Sequence, residues 1–261
     1  MAPPAHWLLP DWPAPARVRA VCTTRSGGVS AAPYDSLNLG DHVGDDPACV
    51  AANRQILAAA MGARPVFLQQ VHGCAVVELD QGTADDIPAD ACVTGWRGVA
   101  CTIMVADCLP VLLCDADGRT VAAAHAGWRG LAGTGGQGVL EAVFKRFSAL
   151  ARIPPAQSAM KTIAWLGPCI GPDAFEVGPE VRAAFMAHDA GAGALFRPAP
   201  RGKWLADLAG LARRRLAALG VTSIHGNDGS PAWCTVTERS RFFSYRRDGR
   251  SGRFAASVWL G

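Results

Sequence analysis

The sequence predicts a single α+β domain, and three observations support this class. Short strand-like segments and longer helical segments follow one another without the regular alternation that a doubly wound sheet requires. Half of the 261 residues are hydrophobic, which is ample for a sizeable core. The chain contains no internal repeat, low-complexity stretch or convincing linker, so we expect one folding unit.

The N-terminal part is predicted to contain an extended lead-in, a strand, a long loop and a helix. Residues 1–17 are rich in Pro and Trp and form the lead-in, and Val18 to Thr24 is a short apolar strand. The next stretch, "RSGGVSAAPYDSLNLGDHVGDD", is polar and longer than a routine connection, and long ordered loops are often functional. Pro47 to Met61 has helical composition, and Gly62 is a natural stop.

The middle of the chain is predicted to consist of short strands separated by polar turns. Their ranges are 65–68, 75–78, 91–94, 100–105, 111–114 and 121–124. After Trp128 the period changes. Apolar residues repeat at spacings of three and four from Gly138 to Leu150, which predicts a helix.

The C-terminal third is predicted to mix helices with strands. Helices are expected at Pro179 to His188 and at Leu205 to Leu219, and strands at "TIAWLGPCIG" and "VTSIHGN". The last segment, "FFSYRRDGRSGRFAASVWL", is predicted to be a β-hairpin with Asp248 and Gly249 in its turn.

Composition restricts the function class and the compartment. The net charge is +3, and basic residues mix with aromatic ones only around Ser240 to Arg253, so we expect no nucleic-acid partner. No run of about 18 apolar residues is present to span a bilayer, and the N-terminus lacks the features of a signal peptide. Nine cysteines without regular spacing or a CxxC pair suit a reducing compartment. We therefore expect a cytoplasmic protein without a membrane partner.

The stretch "DCLPVLLCDADGRTVAAAHAGWRG", residues 107 to 130, contains two apolar runs around an Asp/Gly turn. Antiparallel pairing of the two runs would bring Cys108 and His125 together at the open end of a hairpin. His72, in "LQQVHGC", follows another strand-like segment and is a third candidate. Two imidazoles and one thiolate would form a zinc site with a free fourth position, as in catalytic zinc sites. The alternative is a core cysteine and hydrogen-bonded edge histidines.

Glycines and arginines near these residues suggest anion recognition. The segment "HAGWRGLAGTGGQG" offers free backbone N–H groups at a helix start, although relief of close packing against Trp128 is the explanation we favour. Guanidinium groups suit phosphate or carboxylate, but each arginine is alternatively a solvated surface charge. Arg253, in the predicted C-terminal hairpin, is one of these arginines. The candidate substrate and phosphate contacts are Arg25, Asn38, Arg129, Arg246 and Arg247. Asp107 is expected to accept a hydrogen bond from a ligand imidazole or to cap a turn.

Six motifs in a fixed order give the chain a resemblance to a known family. They are "RSGGVSAAPYDSLNLGDHVGDD", "QVHG", "ADCLPVLL", "HAGWRG", "GPCIGPDAFEVG", and "CT" followed by "FFSYRRDGRSGRFA". From about residue 18 to the C-terminus they resemble the bacterial YfiH-like family, also called laccase domain, multicopper polyphenol oxidase or purine nucleoside phosphorylase. The resemblance implies one catalytic domain over 18–261, with mixed β-sheets in a sandwich-like core flanked by helices. It also implies that His72, Cys108 and His125 hold zinc and are catalytic.

The resemblance further implies that the substrates are purine nucleosides and phosphate. The expected reactions are phosphorolysis of adenosine, inosine, guanosine and methylthioadenosine to the free base and a ribose 1-phosphate, with deamination of adenosine as a second activity. Copper is less expected, because the chain has six histidines and no His-x-His pair. The usual signature of zinc deaminases is absent, so no carboxylate is assigned as proton shuttle.

Two other classes of function remain open at this point. In a thiol hydrolase, Cys108 would be the nucleophile and His72 or His125 the base, acting on a peptide or amide bond. The resemblance to the YfiH-like family implies cell-wall peptide precursors as substrates for such an activity. A metal-stabilised binding module without turnover would use the same three ligands. The sequence predicts no oligomeric state.

Overall fold

Two stacked β-sheets with helices on their outer faces form the body of the protein, which a computed structural model describes over residues 3–261. The first two residues of the predicted lead-in lie outside this range. The strands are β1 (Val18–Cys22), β2 (Arg64–Phe67), β3 (Val76–Glu78), β4 (Ala91–Thr94), β5 (Val99–Val105), β6 (Leu109–Asp115), β7 (Val121–Ala126), β8 (Thr162–Leu166), β9 (Glu176–Val177), β10 (Phe196–Ala199), β11 (Lys203–Ala206), β12 (Ser223–Gly226) and β13 (Phe254–Leu260). The helices are α1 (Pro47–Met61), α2 (Trp128–Ala132), α3 (Val139–Ala151), α4 (Pro155–Ser158), α5 (Pro179–Met186), α6 (Leu208–Ala218) and α7 (Tyr245–Asp248).

The strand order explains how the sheets are built. The first sheet has the order β1-β13-β5-β2, the second has the order β12-β8-β6-β7-β4-β3, and a small sheet has the order β10-β11-β9. Both large sheets are mixed, because β2 runs parallel to β5 and β12 runs parallel to β8 while β6 and β7 are antiparallel. The expectation of an α+β fold with mixed sheets in a sandwich-like core is confirmed.

The space between the two large sheets is filled by alternate residues of their strands. Cys101, Ile103 and Val105 of β5 lie in one apolar cluster with Leu112 of β6 and Val121 of β7. Successive side chains of a strand point to opposite faces, so the intervening residues of β5 face outward. Each sheet is therefore covered on both faces, which is why these strands read as continuous apolar runs.

Helices cover the outer face of each sheet. Ala100 and Met104 of β5 pack in a cluster with Leu57 of α1. On the outer face of the second sheet, Val111 of β6 packs in a cluster with Phe147 of α3, and this cluster extends to α6. The predicted helices around residues 47–61 and 138–150 thus have their apolar sides against the sheets.

The prediction of a C-terminal hairpin is wrong. Ser244 begins the short helix α7, because its Oγ accepts a hydrogen bond from the backbone N–H of Arg247 at 3.2 Å. Gly249 ends that helix with φ 69°. The following strand, β13, then pairs with β1 and β5 instead of folding back on its own neighbour. Apart from Ser257, its residues are apolar, which suits this central position.

The helix predicted from Leu205 starts later than expected. Residues Lys203–Ala206 form β11, and Asp207 caps α6 by accepting a hydrogen bond from the backbone N–H of Gly210 at 2.8 Å. A carboxylate at this position satisfies a helical N–H that has no partner within the helix. The strands of the small sheet were not predicted.

The long polar loop, residues 25–46, is held to α1 by one buried amide. The Asn53 side chain donates to Ser30 Oγ at 2.9 Å and to the Asn38 carbonyl at 2.8 Å, and accepts from the backbone N–H of Val29 at 2.9 Å. Asn38 in turn accepts from the backbone N–H of Arg253 at 2.8 Å. This loop is therefore ordered against the end of the first sheet.

Over residues 3–261, no helix combines the length and the apolar character needed to cross a membrane.

We expect Asn53→Ala to lower the free energy of unfolding by about 1–3 kcal/mol, because buried partners of the amide lose their hydrogen bonds. Urea unfolding followed by fluorescence measures this. Gln55→Ala, at an exposed position of the same helix, is the matched control and should change stability by about 0.5 kcal/mol or less. Equal unfolding midpoints for the two variants would contradict the role assigned to Asn53.

Candidate active site

Three potential metal ligands meet at the open end of the β6–β7 hairpin. Cys108 immediately precedes β6, His125 is the next-to-last residue of β7, and His72 lies in the turn between β2 and β3. Their ligand atoms all lie within 4.8 Å of one another, with Cys108 Sγ 3.9 Å from His72 Nε2. The structure thus brings together the residues that the hairpin pattern and the "QVHG" motif singled out. We call this group the His–Cys–His cluster.

A buried carboxylate behind the cluster was missed by the sequence analysis. Asp90, immediately before β4, accepts a hydrogen bond from His125 Nδ1 at 2.8 Å and is fully buried. Asp107, which was expected to contact a ligand imidazole, instead accepts from Thr235 Oγ1 and from the backbone N–H of Arg246, both at 2.6 Å. Of the two roles considered for Asp107, the structure shows the capping role. In the sequence, Asp90 has only its position before an apolar strand to mark it.

The backbone of the His72 turn has an unusual conformation. His72 has φ 61°, a left-handed conformation that non-glycine residues adopt infrequently. The backbone N–H groups of Val71, His72 and Gly73 all donate to the Asp90 carboxylate, at 3.2, 2.8 and 2.6 Å. These three bonds hold the turn in the conformation that directs the imidazole of His72 to the cluster.

Glycine is required beside the cluster for reasons of space. A Cβ atom on Gly127 would lie 3.0 Å from Cys108 Sγ and 3.1 Å from His72 Cδ2, and one on Gly130 would lie 2.8 Å from the Gly73 carbonyl. The helix that follows, α2, has only five residues. The glycines of "HAGWRG" therefore relieve close packing, here against the His72 turn.

The charges of the cluster are mutually dependent. Burial raises the pKa of the Cys108 thiol, but the charge of His125 and hydrogen bonds from both histidines outweigh burial and lower this pKa to about 6. Burial lowers the pKa of His125, but the Cys108 thiolate and the Asp90 carboxylate raise it to about 9. Burial raises the pKa of Asp90, while the bonds from His125 and from the backbone of the His72 turn bring it below its ordinary value. Without metal, the cluster therefore holds a thiolate beside an imidazolium at neutral pH.

A cavity of about 380 Å³ opens in front of the cluster. One wall is apolar and includes Trp128, Ile170, Phe175 and Leu208. The cavity is also lined by polar side chains, namely those of His42, Gln70, Tyr245, Arg246 and Arg253. The cavity therefore combines ligand atoms, a surface for an aromatic ring and positive charge.

Of the predicted anion contacts, Arg246 lines this cavity. Its guanidinium lies 5.8 Å from the centre of the Phe175 ring and donates to the Glu176 carbonyl at 3.0 Å. Arg253 lines the cavity as well and donates to the carbonyls of Ser251 and Gly252 at 2.8 and 3.1 Å. Within residues 3–261, no carboxylate forms an ion pair with Arg253.

The structure places the other predicted contacts away from the cavity wall. Arg25 forms an ion pair with Asp35 at 3.1 Å in a separate surface depression. Arg129 is exposed and stacks on the Trp128 ring at 4.5 Å. The Arg247 guanidinium is occupied by Asp248 and by backbone carbonyls such as that of Thr235, and Asn38 is fully buried in the loop that supports Arg253.

The donor set of the cluster fits a transition metal ion. Two imidazoles and one thiolate are typical ligands of zinc and also occur in copper sites. The hydrogen bond from His125 to Asp90 is the kind of outer contact that orients a metal-ligating imidazole. Gly127 keeps the space beside the three ligand atoms free of a side chain.

The fold and the cluster define the class of protein: an α+β sandwich with three potential metal ligands, the His–Cys–His cluster, at one cavity. The family described as multi-copper polyphenol oxidoreductase laccase matches residues 19–261, and the chain belongs to this family. It is 54% identical over 255 residues to a purine nucleoside phosphorylase of Pseudomonas aeruginosa, with 97% of this chain and 98% of the relative covered. The purine nucleoside phosphorylase YfiH of Escherichia coli is 50% identical with the same coverage.

Solved structures show the same architecture. A Neisseria meningitidis protein superimposes with a TM-score of 0.86 at 47% identity, covering 98% of this chain and 99% of its own. YlmD from Geobacillus stearothermophilus gives a TM-score of 0.85 at 31% identity, with 97% and 96% covered. The resemblance found in the six sequence motifs thus extends over the whole fold.

We expect alkylation of Cys108 in metal-stripped protein to reach its maximal rate by about pH 7, because the thiolate forms as the pH rises through its pKa of about 6. Iodoacetamide labelling, measured by mass spectrometry at the peptide containing "ADCLPVLL", tests this. Cys49 is the internal control, because burial and the charges of Asp46 and Asp45 raise its pKa, so its rate should keep increasing at alkaline pH. Parallel pH profiles for both cysteines would contradict the charge arrangement.

Proposed function

We propose that the protein is a zinc-dependent purine nucleoside phosphorylase. In this proposal it converts adenosine, inosine, guanosine and methylthioadenosine, with phosphate, to the free base and the corresponding ribose 1-phosphate, and it also deaminates adenosine. The names of its P. aeruginosa and E. coli relatives support the phosphorylase activity. The nine cysteines are free thiols in the structure, which supports a cytoplasmic location.

One observation carries the proposal: a single cavity offers three chemically different surfaces that match the three parts of this reaction. The apolar wall with Trp128 and Phe175 suits the flat face of a purine. Arg253, half-buried and without an ion-pair partner among residues 3–261, suits phosphate. The His–Cys–His cluster suits zinc.

The residues of the cavity can support phosphorolysis in a simple way. A phosphate oxygen attacks the anomeric carbon, the bond from that carbon to the purine nitrogen breaks, and the bonding electrons remain on the base, which then takes up a proton. Arg253 and Arg246 would hold the phosphate beside the sugar and offset the negative charge of the phosphate. His42 faces the same cavity, and we assign to its imidazole the exchange of a proton with the leaving base. Burial together with the positive charge of Arg253 lowers the pKa of this imidazole.

His72, Cys108 and His125 would hold the zinc ion, with Asp90 behind His125. When bound, zinc supplies a Lewis acid and lowers the pKa of water, which is the chemistry that deamination of adenosine to inosine and ammonia requires. Since the metal-free cluster pairs a Cys108 thiolate with a His125 imidazolium, the proton displaced when zinc binds would come from His125 and not from Cys108.

A thiol hydrolase is the second candidate function, and one specific observation favours it. Cys108, His125 and Asp90 are arranged as a nucleophile, a base and an orienting carboxylate, and the pKa of Cys108 is about 6. The two proposed functions differ in the effect that a metal chelator has on enzymatic activity. Activity of a thiol hydrolase would survive removal of metal, and its substrates would be amides such as cell-wall peptide precursors.

We expect purified protein to contain about one zinc per chain and to release ribose 1-phosphate from inosine only when phosphate is present. Elemental analysis and mass spectrometry of the products measure both. A chelator should abolish turnover, zinc should restore it, and Cys108→Ala should lose zinc and activity while keeping its circular dichroism spectrum. Turnover that survives chelation would favour the thiol hydrolase. Several copper ions per chain would favour a polyphenol oxidase.

We expect Arg253→Gln to raise the phosphate concentration needed for half-maximal rate by about tenfold or more, since it removes a charge-assisted contact. Steady-state rates at varied phosphate measure this. Arg146→Ala is the control, because this arginine is exposed and pairs with Glu78. Arg25→Ala tests the arginine that the sequence analysis named as a phosphate contact. A larger increase in the required phosphate concentration in Arg25→Ala than in Arg253→Gln would contradict the placement of phosphate beside Arg253.

A further inference from the structure

Asp90 accepts hydrogen bonds from His125 and from the backbone of the turn that contains His72. Its Oδ1 accepts from His125 Nδ1 and from the backbone N–H of His72, both at 2.8 Å. Its Oδ2 accepts from the backbone N–H groups of Gly73 and Val71 at 2.6 and 3.2 Å. Its backbone carbonyl accepts from the backbone N–H of His125 at 2.7 Å. One fully buried residue therefore contacts the segments of two of the three ligands.

These contacts determine the orientation of both imidazoles. Since Nδ1 of His125 is bonded to Asp90, the nitrogen left to face Cys108 and His72 is Nε2. The bonds to the turn hold His72 at φ 61°, a backbone conformation that costs free energy unless its surroundings maintain it. An ionised carboxylate can accept all four side-chain bonds, whereas an amide would present N–H donors to backbone N–H donors.

We propose that Asp90 is a positioning residue that fixes His125 with Nε2 toward the cluster and holds the His72 turn, so that both imidazoles are oriented for a metal ion before it binds. This inference rests on the proposed function only in that His72, Cys108 and His125 bind metal. It assigns to Asp90 a contribution to metal affinity that is separate from its contribution to folding.

The chain offers a matched control for this separation. Asp115, at the opposite end of the same hairpin, is also fully buried. Its carboxylate accepts from the backbone N–H groups of Asp117, Arg119 and Thr120 at 2.9, 2.8 and 2.5 Å. It therefore performs the same backbone task as Asp90 but contacts no imidazole.

The experiment compares Asp90→Asn with Asp115→Asn. Zinc affinity is measured by competition with a chromophoric chelator, and thermal unfolding of the metal-free proteins is measured in parallel. We expect both variants to unfold at lower temperature, and only Asp90→Asn to lose zinc affinity, by about 10-fold to 100-fold. Wild-type affinity in Asp90→Asn, or equal losses in both variants, would overturn the positioning role.

A measurement on the wild-type protein covers the case in which Asp90→Asn does not fold. Long-range ¹H–¹⁵N NMR of the zinc-loaded protein, assigned by comparison with His125→Gln, should show a proton on Nδ1 of His125 and zinc at Nε2. The reverse arrangement would overturn the inference while leaving the proposed function intact. A wild-type protein that binds no zinc would contradict both.

Discussion

The rest of the site depends on the hydrogen bonds that the buried carboxylate of Asp90 accepts. A buried charge is costly unless it is paired and fully hydrogen-bonded, and here backbone N–H groups and an imidazole supply that compensation. The pairing of β4 with β7, in which Ala91 lies opposite Ala124, brings Asp90 beside His125. The register between β4 and β7 thus determines the position of Asp90 beside the cluster.

Local pattern was sufficient to predict much of the fold, because the helix α1 and the β6–β7 hairpin are specified by residues close together in sequence. The errors arise where long-range pairing decides the structure. Gly249 was recognised correctly as a turn residue, but it ends a helix, and β13 pairs with strands that are far away in the chain. The apolar sequence of β13 indicates a buried strand, but it does not identify β1 and β5 as the neighbours of that strand.

In the site, too, local contacts could be predicted from the sequence and long-range contacts could not. Cys108 and His125 could be placed together from the sequence, because a single tight turn joins their strands. The partner of His125 could not be predicted, since Asp90 reaches it through pairing between β4 and β7. Arg25 and Arg253 look alike in sequence, and only the packed structure shows that the first is neutralised by Asp35 while the second faces the cavity.

The central position of β13 has a consequence for how the chain is made. Until residues 254–260 have left the ribosome, β1 and β5 are two sheet edges without the strand that joins them, and such edges can pair with other chains. Arg253 lies immediately before this strand, so the cavity also stays incomplete until then. The first sheet of a nascent chain is therefore completed only after residues 254–260 have been synthesised.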